Sequence, residues 1–329
     1  MLLLERKSSE HRELFYDADI CVGCGICSDT CPTESLRLGP IVPIARKLID
    51  MDCISLNKNN CVLCGLCTSS CPFGVLSLKI DGKLIKELNN YPKWNHESNI
   101  NEDDCILCGK CSSACPRDAI FFTRTLPNIN DLVTGSIEVD EDSCIYCNVC
   151  AEMCPADAIV LKSNSAVNEV PNKIEIDESK CVYCGVCKLA CPENAMKAIC
   201  TTCMNSEEIT SPSITGDIFI EHKCINCGWC ESVCPVDAVT ITKPFDGEIL
   251  RNPELVCKGD SCHACQDVCP CNAVEIVDNE SKINPTFCTL CGACTKACPQ
   301  DLLSVKRENM KLDNINSASW SEILGKLIG

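Results

Sequence analysis

The feature that most constrains this chain is a cysteine motif that recurs eight times. Seven copies have the spacing C-x2-C-x2-C-x3-C-P, and the seventh in chain order has four residues in its first gap. The motifs, numbered one to eight, have their cysteines at 21/24/27/31, 61/64/67/71, 105/108/111/115, 144/147/150/154, 181/184/187/191, 224/227/230/234, 257/262/265/269 and 288/291/294/298. A repeat of this kind indicates a row of small, similar units rather than one large domain.

Cysteine runs with these gaps are typical of iron–sulfur proteins. Thiolates bind cluster iron, and this spacing with its trailing proline is the bacterial-type signature, in which the fourth cysteine ligates the other cluster of a two-cluster domain. Two-residue gaps place three sulfurs around one corner of a cubane, so the fourth iron is reached from another motif. The motifs are therefore expected to work in pairs, and eight motifs predict eight [4Fe-4S] clusters.

Pairing neighbouring motifs predicts an α+β fold of four tandem bacterial-type 2[4Fe-4S] ferredoxin-like domains. Each domain is expected to be a pseudo-twofold repeat of strand, cluster loop, short helix and strand. One domain inserted inside another is the alternative. The predicted ligand sets of the first two domains are Cys21, Cys24, Cys27 with Cys71; Cys61, Cys64, Cys67 with Cys31; Cys105, Cys108, Cys111 with Cys154; and Cys144, Cys147, Cys150 with Cys115. Those of the other two are Cys181, Cys184, Cys187 with Cys234; Cys224, Cys227, Cys230 with Cys191; Cys257, Cys262, Cys265 with Cys298; and Cys288, Cys291, Cys294 with Cys269.

The segments between motifs set the predicted boundaries. These are an N-terminal extension at 1–14, domains at 15–90, 91–165, 166–245 and 246–308, and a C-terminal tail at 309–329. In the tail, a short amphipathic helix is predicted after Ser319 as N-cap, with Trp320, Ile323, Leu324, Leu327 and Ile328 on one face. This helix either packs on the fourth domain or binds a partner subunit.

Two positions inside the motifs carry further information. Six motifs have Gly after the second cysteine, while the other two have Asn148 and His263, residue types that tolerate positive φ. We therefore expect positive φ there in all eight. The residue after the first cysteine is apolar in motifs one to six but is Lys258 or Thr289 in the last two. The fourth domain is accordingly expected to have the least shielded clusters and a different reduction potential.

Composition excludes several classes of protein. Aromatic residues make up 4% of the chain, too few for one conventional core over 329 residues, so bound inorganic cores must replace it. The formal net charge of −17 would repel nucleic acid and anionic membrane surfaces and favour basic patches on protein partners. The start, Met1-Leu2-Leu3-Leu4 followed by Glu5, is neither a signal peptide nor a membrane span. A cytoplasmic location is expected.

Four cysteines lie outside the motifs. Cys53, Cys200, Cys203 and Cys271 are interpreted as buried small residues or free thiols, although Cys200 and Cys203 have a metal-binding or redox spacing. His263 is interpreted as a loop residue, with a proton-coupled role as the alternative. Structural zinc is the rival metal, but zinc sites use separated cysteine pairs. Without a phosphate loop or a nucleophile next to a base, no catalytic site is predicted, and the expected chemistry is electron transfer.

The eight motifs, the Leu38-Gly39-Pro40 stretch and the Cys-Lys-Gly-Asp-Ser-Cys-His-Ala-Cys stretch at 257–265 resemble the polyferredoxins of methanogenic archaea, above all the polyferredoxin subunits of tungsten or molybdenum formylmethanofuran dehydrogenases. The likeness covers about 15–308. It implies a subunit that relays electrons to the metal site reducing CO2 in methanogenesis, with contacts to heterodisulfide reductase or hydrogenase modules. A polyferredoxin serving a hydrogenase is the alternative, and a non-redox metal-binding scaffold with four-cysteine sites is a third.

Overall fold

Short strands flank the cysteine motifs in the computed structural model, which describes residues 1–125, 135–163, 171–181, 183–200 and 214–328, with 199 and 200 described by their backbone only. The helices are α1 (Ile26–Asp29), α2 (Ile41–Ala45), α3 (Leu66–Ser70), α4 (Lys110–Ala114), α5 (Val149–Glu152), α6 (Val186–Leu189), α7 (Trp229–Ser232), α8 (Ala264–Asp267), α9 (Ala293–Ala297) and α10 (Ala318–Gly325). The strands are β1 (Leu2–Lys7), β2 (His11–Tyr16), β3 (Leu36–Leu38), β4 (Ile54–Leu56), β5 (Leu76–Ile80), β6 (Lys83–Leu84), β7 (Lys93–Trp94), β8 (Ser98–Ile100), β9 (Ile120–Phe122), β10 (Gly135–Val139), β11 (Ile159–Lys162), β12 (Lys173–Ile176), β13 (Met196–Cys200), β14 (Ile218–Ile220), β15 (Val239–Ile241), β16 (Phe245–Arg251), β17 (Val274–Val277), β18 (Glu280–Ile283), β19 (Leu303–Met310) and β20 (Leu312–Asp313).

One antiparallel pairing rule describes how two motifs combine. The strand before the first motif pairs with the strand after the second, and the strand after the first motif pairs with the strand before the second. Motifs one and two follow this rule through β2 with β5 and β3 with β4. Motifs seven and eight follow it through β16 with β19 and β17 with β18. We call these combinations the first pair and the last pair.

The four central motifs do not pair as predicted. β8 pairs with β15 and β9 with β14, which joins motif three to motif six, the outer pair. β10 pairs with β13 and β11 with β12, which joins motif four to motif five, the inner pair. The strand pairing therefore crosses the predicted division into 91–165 and 166–245 and follows the inserted arrangement instead. The inner pair lies inside the β9–β14 hairpin, which continues to a bridge between Thr125 and Thr215.

The first residues also differ from the prediction. β1 and β2 form a hairpin, and β2 continues into the sheet of order β1-β2-β5-β6, with Tyr16 opposite Leu76. Residues predicted as an N-terminal extension are therefore part of the first pair. Leu14 and Tyr16 are both buried, so alternate side chains of β2 supply core that the cysteine loops lack.

The largest apolar core lies where the first, outer and last pairs meet. It contains Val22 of the first pair, Ile225 of the outer pair and Ala293 of the last pair. The inner pair instead packs on the outer pair alone within the described cores, through Val149 and Met153 against Ile106. The fold therefore has a body of three motif pairs and a fourth pair attached at one place.

The C-terminal helix packs within the chain. α10 begins after Ser317, two residues before the predicted N-cap, so Ser319 lies inside the helix. Leu324 and Leu327 are buried against Ile26 of the first pair and Phe245 of the last pair. Of the two roles predicted for this helix, packing within the chain is thus confirmed. The helix packs on the first and last pairs, and not on the fourth predicted domain alone. Among the described residues, no helix has the length and apolar character needed to cross a membrane.

Candidate cluster-binding sites

A left-handed backbone residue turns each cysteine loop into its helix. The six glycines after the second cysteines have φ between 77° and 92°, while Asn148 has φ 66° and His263 has φ 55°. Each residue directly precedes a short helix that carries the third cysteine. The predicted positive φ is confirmed in all eight motifs. The turn is possible because glycine has no Cβ and because Asn and His side chains tolerate positive φ.

A second left-handed position was missed by sequence reasoning. Three residues after each fourth cysteine, φ is positive at Glu34, Gly74, Asp118, Asp157, Asn194, Asp237, Asn272 and Asp301. Asp, Asn and Gly fill seven of these eight positions, and that enrichment is the signal that could have predicted the turn. The turn aims the next backbone N–H at the fourth cysteine: Ala119 N donates to Cys115 Sγ at 3.3 Å and Ala273 N to Cys269 Sγ at 3.2 Å.

The residue that donates this N–H is a buried alanine in five motifs. Ala119, Ala158, Ala195, Ala238 and Ala273 are all 3% exposed or less. Val75 and Leu302 hold the same position in motifs two and eight and are also buried, so burial rather than small size is common to this position. Hydrogen bonds to cluster ligands stabilise the thiolate form and influence the potential of a bound cluster.

Four cavities are each lined by three cysteines of one motif and the fourth cysteine of its partner. Two contain predicted sets: Cys61, Cys64 and Cys67 with Cys31, and Cys257, Cys262 and Cys265 with Cys298. Two contain different sets: Cys144, Cys147 and Cys150 with Cys191, and Cys224, Cys227 and Cys230 with Cys115. The predicted partners Cys115 and Cys191 are therefore exchanged, because motif six pairs with three and motif five with four.

Electrostatics indicate the other four groupings. Burial raises the pKa of Cys24, Cys105 and Cys181, and the thiolates of Cys71, Cys234 and Cys154 respectively raise it further. The pKa of Cys291 is raised to about 12 by burial and by the thiolates of Cys288 and Cys269. Cys234 thus faces motif three and Cys154 faces motif five, the reverse of the prediction. Ligation by all eight sets stays a prediction.

The donor sets fit an iron–sulfur cluster. Burial raises the pKa of Cys150 to about 11 and of Cys187 to about 12, so several thiolates can share one enclosed site only around a cationic core. In the described part of the chain, no three Cys, His, Asp or Glu side chains are arranged to hold a single metal ion, as zinc requires. A [4Fe-4S] cluster bound by such a set supplies reversible one-electron transfer.

Two cysteines outside the motifs lie beside ligand sulfurs. A hydrogen bond from Cys53 lowers the pKa of Cys21 to about 6, and one from Cys271 lowers the pKa of Cys269 to about 6. Cys271 is buried, with Sγ 3.4 Å from Thr289 Oγ1. The interpretation of these cysteines as small buried residues therefore misses their contacts. Cys203 and the side chain of Cys200 lie outside the described residues.

The expected low shielding of the last pair is wrong for motif eight. Thr289 is 1% exposed, and both Cys291 and Cys294 are buried. In motif seven Lys258 is exposed, but so are Val62 and Ile145 at the same position of motifs two and four. His263 is a loop residue whose Nδ1 contacts Gln266 Oε1 at 3.0 Å and whose Nε2 contacts the Asp260 carbonyl at 3.1 Å. The two motifs of the last pair thus differ in enclosure.

Alanine at two of the loop glycines separates backbone strain from crowding. A Cβ on Gly185 meets nothing within 4 Å, so Gly185→Ala is expected to cost only the left-handed strain, about 1 kcal/mol. A Cβ on Gly109 comes within 2.5 Å of the Phe122 ring, so Gly109→Ala is expected to cost clearly more. Guanidinium unfolding of the cluster-loaded protein measures both. Equal midpoints for the two variants would contradict the expected cost of displacing the Phe122 ring.

Several parts of the chain match known families and proteins. Two family models described as 4Fe-4S dicluster domain match residues 20–75, 60–119 and 143–195, and residues 98–161, while a 4Fe-4S binding domain matches 218–240 and 281–304. Polyferredoxin protein FwdF of Methanocaldococcus jannaschii is 48% identical over 128 residues, which span 39% of this chain and 36% of that relative.

A solved structure extends the likeness over almost the whole chain. A chain of the formate dehydrogenase, heterodisulfide reductase and formylmethanofuran dehydrogenase complex from Methanospirillum hungatei aligns with a TM-score of 0.61 and 28% identity, covering 98% of this chain and 87% of that one. The repeated motif, the shared cysteine cavities and these matches lead to one conclusion. The chain belongs to the archaeal polyferredoxins, proteins that carry several 4Fe-4S dicluster domains in tandem.

Proposed function

We propose that this chain is the multi-cluster electron-transfer subunit of a formylmethanofuran dehydrogenase complex, with eight [4Fe-4S] clusters in four two-cluster domains. It would relay single electrons to a tungsten or molybdenum site that reduces CO2, and would have no active site of its own. The observation that carries the proposal is the arrangement of the four-cysteine groups, in which groups of different motif pairs lie next to each other.

Three junctions support a continuous route. At the first, the Cys291 thiolate of the last pair adds to the raised pKa of Cys24 in the first pair, so the two sulfurs are neighbours. At the second, Lys243 donates to the Cys288 carbonyl of the last pair at 3.0 Å, and the thiolates of both Cys288 and Cys227 of the outer pair act on it. Electron tunnelling falls exponentially with distance, so neighbouring groups favour transfer between domains.

The third junction connects the inner pair. Cys108 of the outer pair packs with Cys147 and Cys184 of the inner pair around a buried core of Val149 and Met153. Arg124 fixes this contact, because its guanidinium donates to the carbonyls of Leu107 and Cys108 at 3.0 Å and of Glu152 at 2.8 Å. Motif three is thus the connection of the inner pair to the body.

The proposed partners follow from chemistry and from likeness. The acidic chain, with a net charge of −17, suits binding to basic patches on other cytoplasmic subunits. The aligned solved structure is a complex that contains formylmethanofuran dehydrogenase, heterodisulfide reductase and formate dehydrogenase. We therefore propose the first as the principal partner and heterodisulfide reductase as a second contact. Service to a hydrogenase is the alternative function.

Anaerobic purification of the tagged native chain tests this proposal. We expect about 32 iron atoms and about 32 sulfides per chain, four of each per cluster. The catalytic subunits of formylmethanofuran dehydrogenase should co-elute, and the isolated chain should accept electrons from a low-potential donor. Co-elution with a hydrogenase alone would favour the alternative. A colourless, zinc-containing chain would reject electron transfer altogether.

A further inference from the structure

Two cations converge on the cysteine loop of motif eight. Arg307 of β19 is 7% exposed. Its Nε donates to the Leu290 carbonyl at 2.9 Å, its Nη2 to the Cys291 carbonyl at 2.9 Å and its Nη1 to the Leu327 carbonyl at 3.3 Å. The guanidinium also lies 4.6 Å from the centre of the Phe245 ring. Arg307 thus binds this loop with a charge that water does not solvate.

Lys243, between β15 and β16, binds the same loop from the outer pair. Its Nζ donates to the carbonyls of Thr286 at 2.5 Å, Cys288 at 3.0 Å and Pro285 at 3.1 Å. An ammonium has three protons and accepts nothing, so three carbonyl partners use all of its donors. The side chain is half-buried, which makes it a second poorly hydrated charge beside motif eight.

Neither cation has a carboxylate partner within 4.0 Å among the residues that the structure describes. Asp29 acts on Arg307 and Glu231 on Lys243 only over longer distances. Two exposed cations of the last pair do have carboxylate partners: Arg251 pairs with Glu280 at 2.6 Å and Lys296 with Asp29 at 2.9 Å. Burying an uncompensated charge is costly, so Arg307 and Lys243 need another counter-charge.

The neighbouring cysteine groups supply that counter-charge. Burial lowers the pKa of Arg307, and the thiolates of Cys24 and Cys291 oppose this. Burial likewise lowers the pKa of Lys243, opposed by the thiolates of Cys288, Cys271 and Cys227. Four thiolates around an oxidised [4Fe-4S] core carry a net charge of about −2, which becomes about −3 on reduction. A nearby cation therefore stabilises the reduced form more than the oxidised form.

We propose that Arg307 and Lys243 raise the reduction potential of the cluster held by Cys288, Cys291, Cys294 and Cys269. This makes motif eight the electron-collecting position of the body, where the first, outer and last pairs meet. The inference rests on the proposed electron-transfer function. The thiolate of Cys24 in the first pair also acts on Arg307, and that of Cys227 in the outer pair also acts on Lys243. Motif eight is the one group that both cations share.

Redox titration of the full cluster-loaded chain, followed by EPR, tests the proposal. In Lys243→Gln and Arg307→Gln, one common component should move to lower potential. We expect its ratio of reduced to oxidised form at a fixed potential to fall about tenfold in each, which is about 59 mV for one electron. A component that shifts only in Lys243→Gln belongs to the neighbouring group of motif six. A component that shifts only in Arg307→Gln belongs to the neighbouring group of motif one.

Two controls separate charge from packing. Arg251→Gln removes an exposed, paired cation of the same sheet and should leave the common component, that of motif eight, unchanged. Arg307→Lys keeps the charge and should retain most of the parental potential. Iron and sulfide contents identify any variant that loses a cluster, and in that case Lys243→Gln and Arg307→Lys carry the test.

Unchanged potentials in both glutamine variants at full iron content would overturn the proposal. An equal shift in Arg307→Lys and Arg307→Gln would also overturn it, because packing rather than charge would then be responsible. The measurement needs no partner subunit. If the chain fails to co-purify with formylmethanofuran dehydrogenase, the proposed complex fails while the potentials still decide this inference.

Discussion

Replacing residues 126–214 by Asn-Gly is expected to remove about one quarter of the bound iron and sulfide and to leave the other motif pairs folded. Thr125 and Thr215 already form an antiparallel bridge, in which Thr125 N donates to the Thr215 carbonyl at 2.7 Å. Asn-Gly is a favoured two-residue connection for such a hairpin. The outer pair would thereby become an ordinary domain of two consecutive motifs, without the inner pair.

Metal analysis and visible absorption of the shortened chain measure this result. The matched control is the double variant Cys154→Ser and Cys191→Ser in the full chain, because both cysteines belong to the inner pair. Its EPR spectrum should retain the signals that the shortened chain retains. If motif three were paired with motif four, excision and the double variant would both remove ligands from motifs three and six. A loss of about half the iron from the shortened chain would therefore contradict the inserted arrangement, and so would the absence from the double variant of signals that the shortened chain retains.

The sequence predicts the cysteine loops well because their geometry is local. Spacing decides which sulfurs share a loop, and a residue such as Gly25 or Asn148 decides where the backbone turns. In the first and last pairs, neighbouring motifs are also partners, so the predicted cysteine groups lie together around Cys31 and Cys298. In these two pairs, one loop and the motif that follows it are enough to predict the cysteine group.

The inserted arrangement could not be predicted from the motifs because all eight are nearly alike. The choice of partner depends on short strands, whose cross-strand contacts are few. Phe121 stacks on Phe219 across β9 and β14, with ring centres 5.7 Å apart and an angle of 18°. Glu138 lies opposite Lys197 across β10 and β13. Aromatic and opposite-charge pairs of this kind stabilise particular strand partners, and both are lost if neighbours pair sequentially.

The two buried cations show a further limit of sequence reasoning. Arg307 and Lys243 lie outside every motif, and each resembles an ordinary surface residue in a short polar run. Only the packing of β19 and of the 242–244 turn against the loop of motif eight makes them unpaired buried charges. Thr289, predicted to leave this motif exposed, is instead 1% exposed, with Oγ1 3.4 Å from Cys271 Sγ. Polarity in the sequence therefore did not report exposure.

Trp229→Ala is expected to loosen the contact between the outer and last pairs more than any other single aromatic truncation. Trp229 begins α7, directly after the left-handed Gly228. Its indole stacks on Phe287 of the last pair with ring centres 3.6 Å apart and an angle of 12°, and its Nε1 donates to the Cys271 carbonyl at 2.7 Å. Because the ring is only partly buried, we expect a loss of about 3 kcal/mol, the lower end for such truncations.

Guanidinium unfolding of the cluster-loaded protein, followed by circular dichroism and visible absorption, measures this loss. Trp229→Phe keeps the stack but removes the N–H donor, so it should cost about 1 kcal/mol. Phe219→Ala is the matched control, since this exposed ring also belongs to a stacked pair but lies within the outer pair, and about 1 kcal/mol is expected. Faster hydrogen exchange of residues 284–289 should accompany only the Trp229→Ala loss. If Trp229→Ala and Phe219→Ala unfold at the same midpoint, the stack does not hold the two pairs together, and the route from Cys227 to Cys288 lacks its structural support.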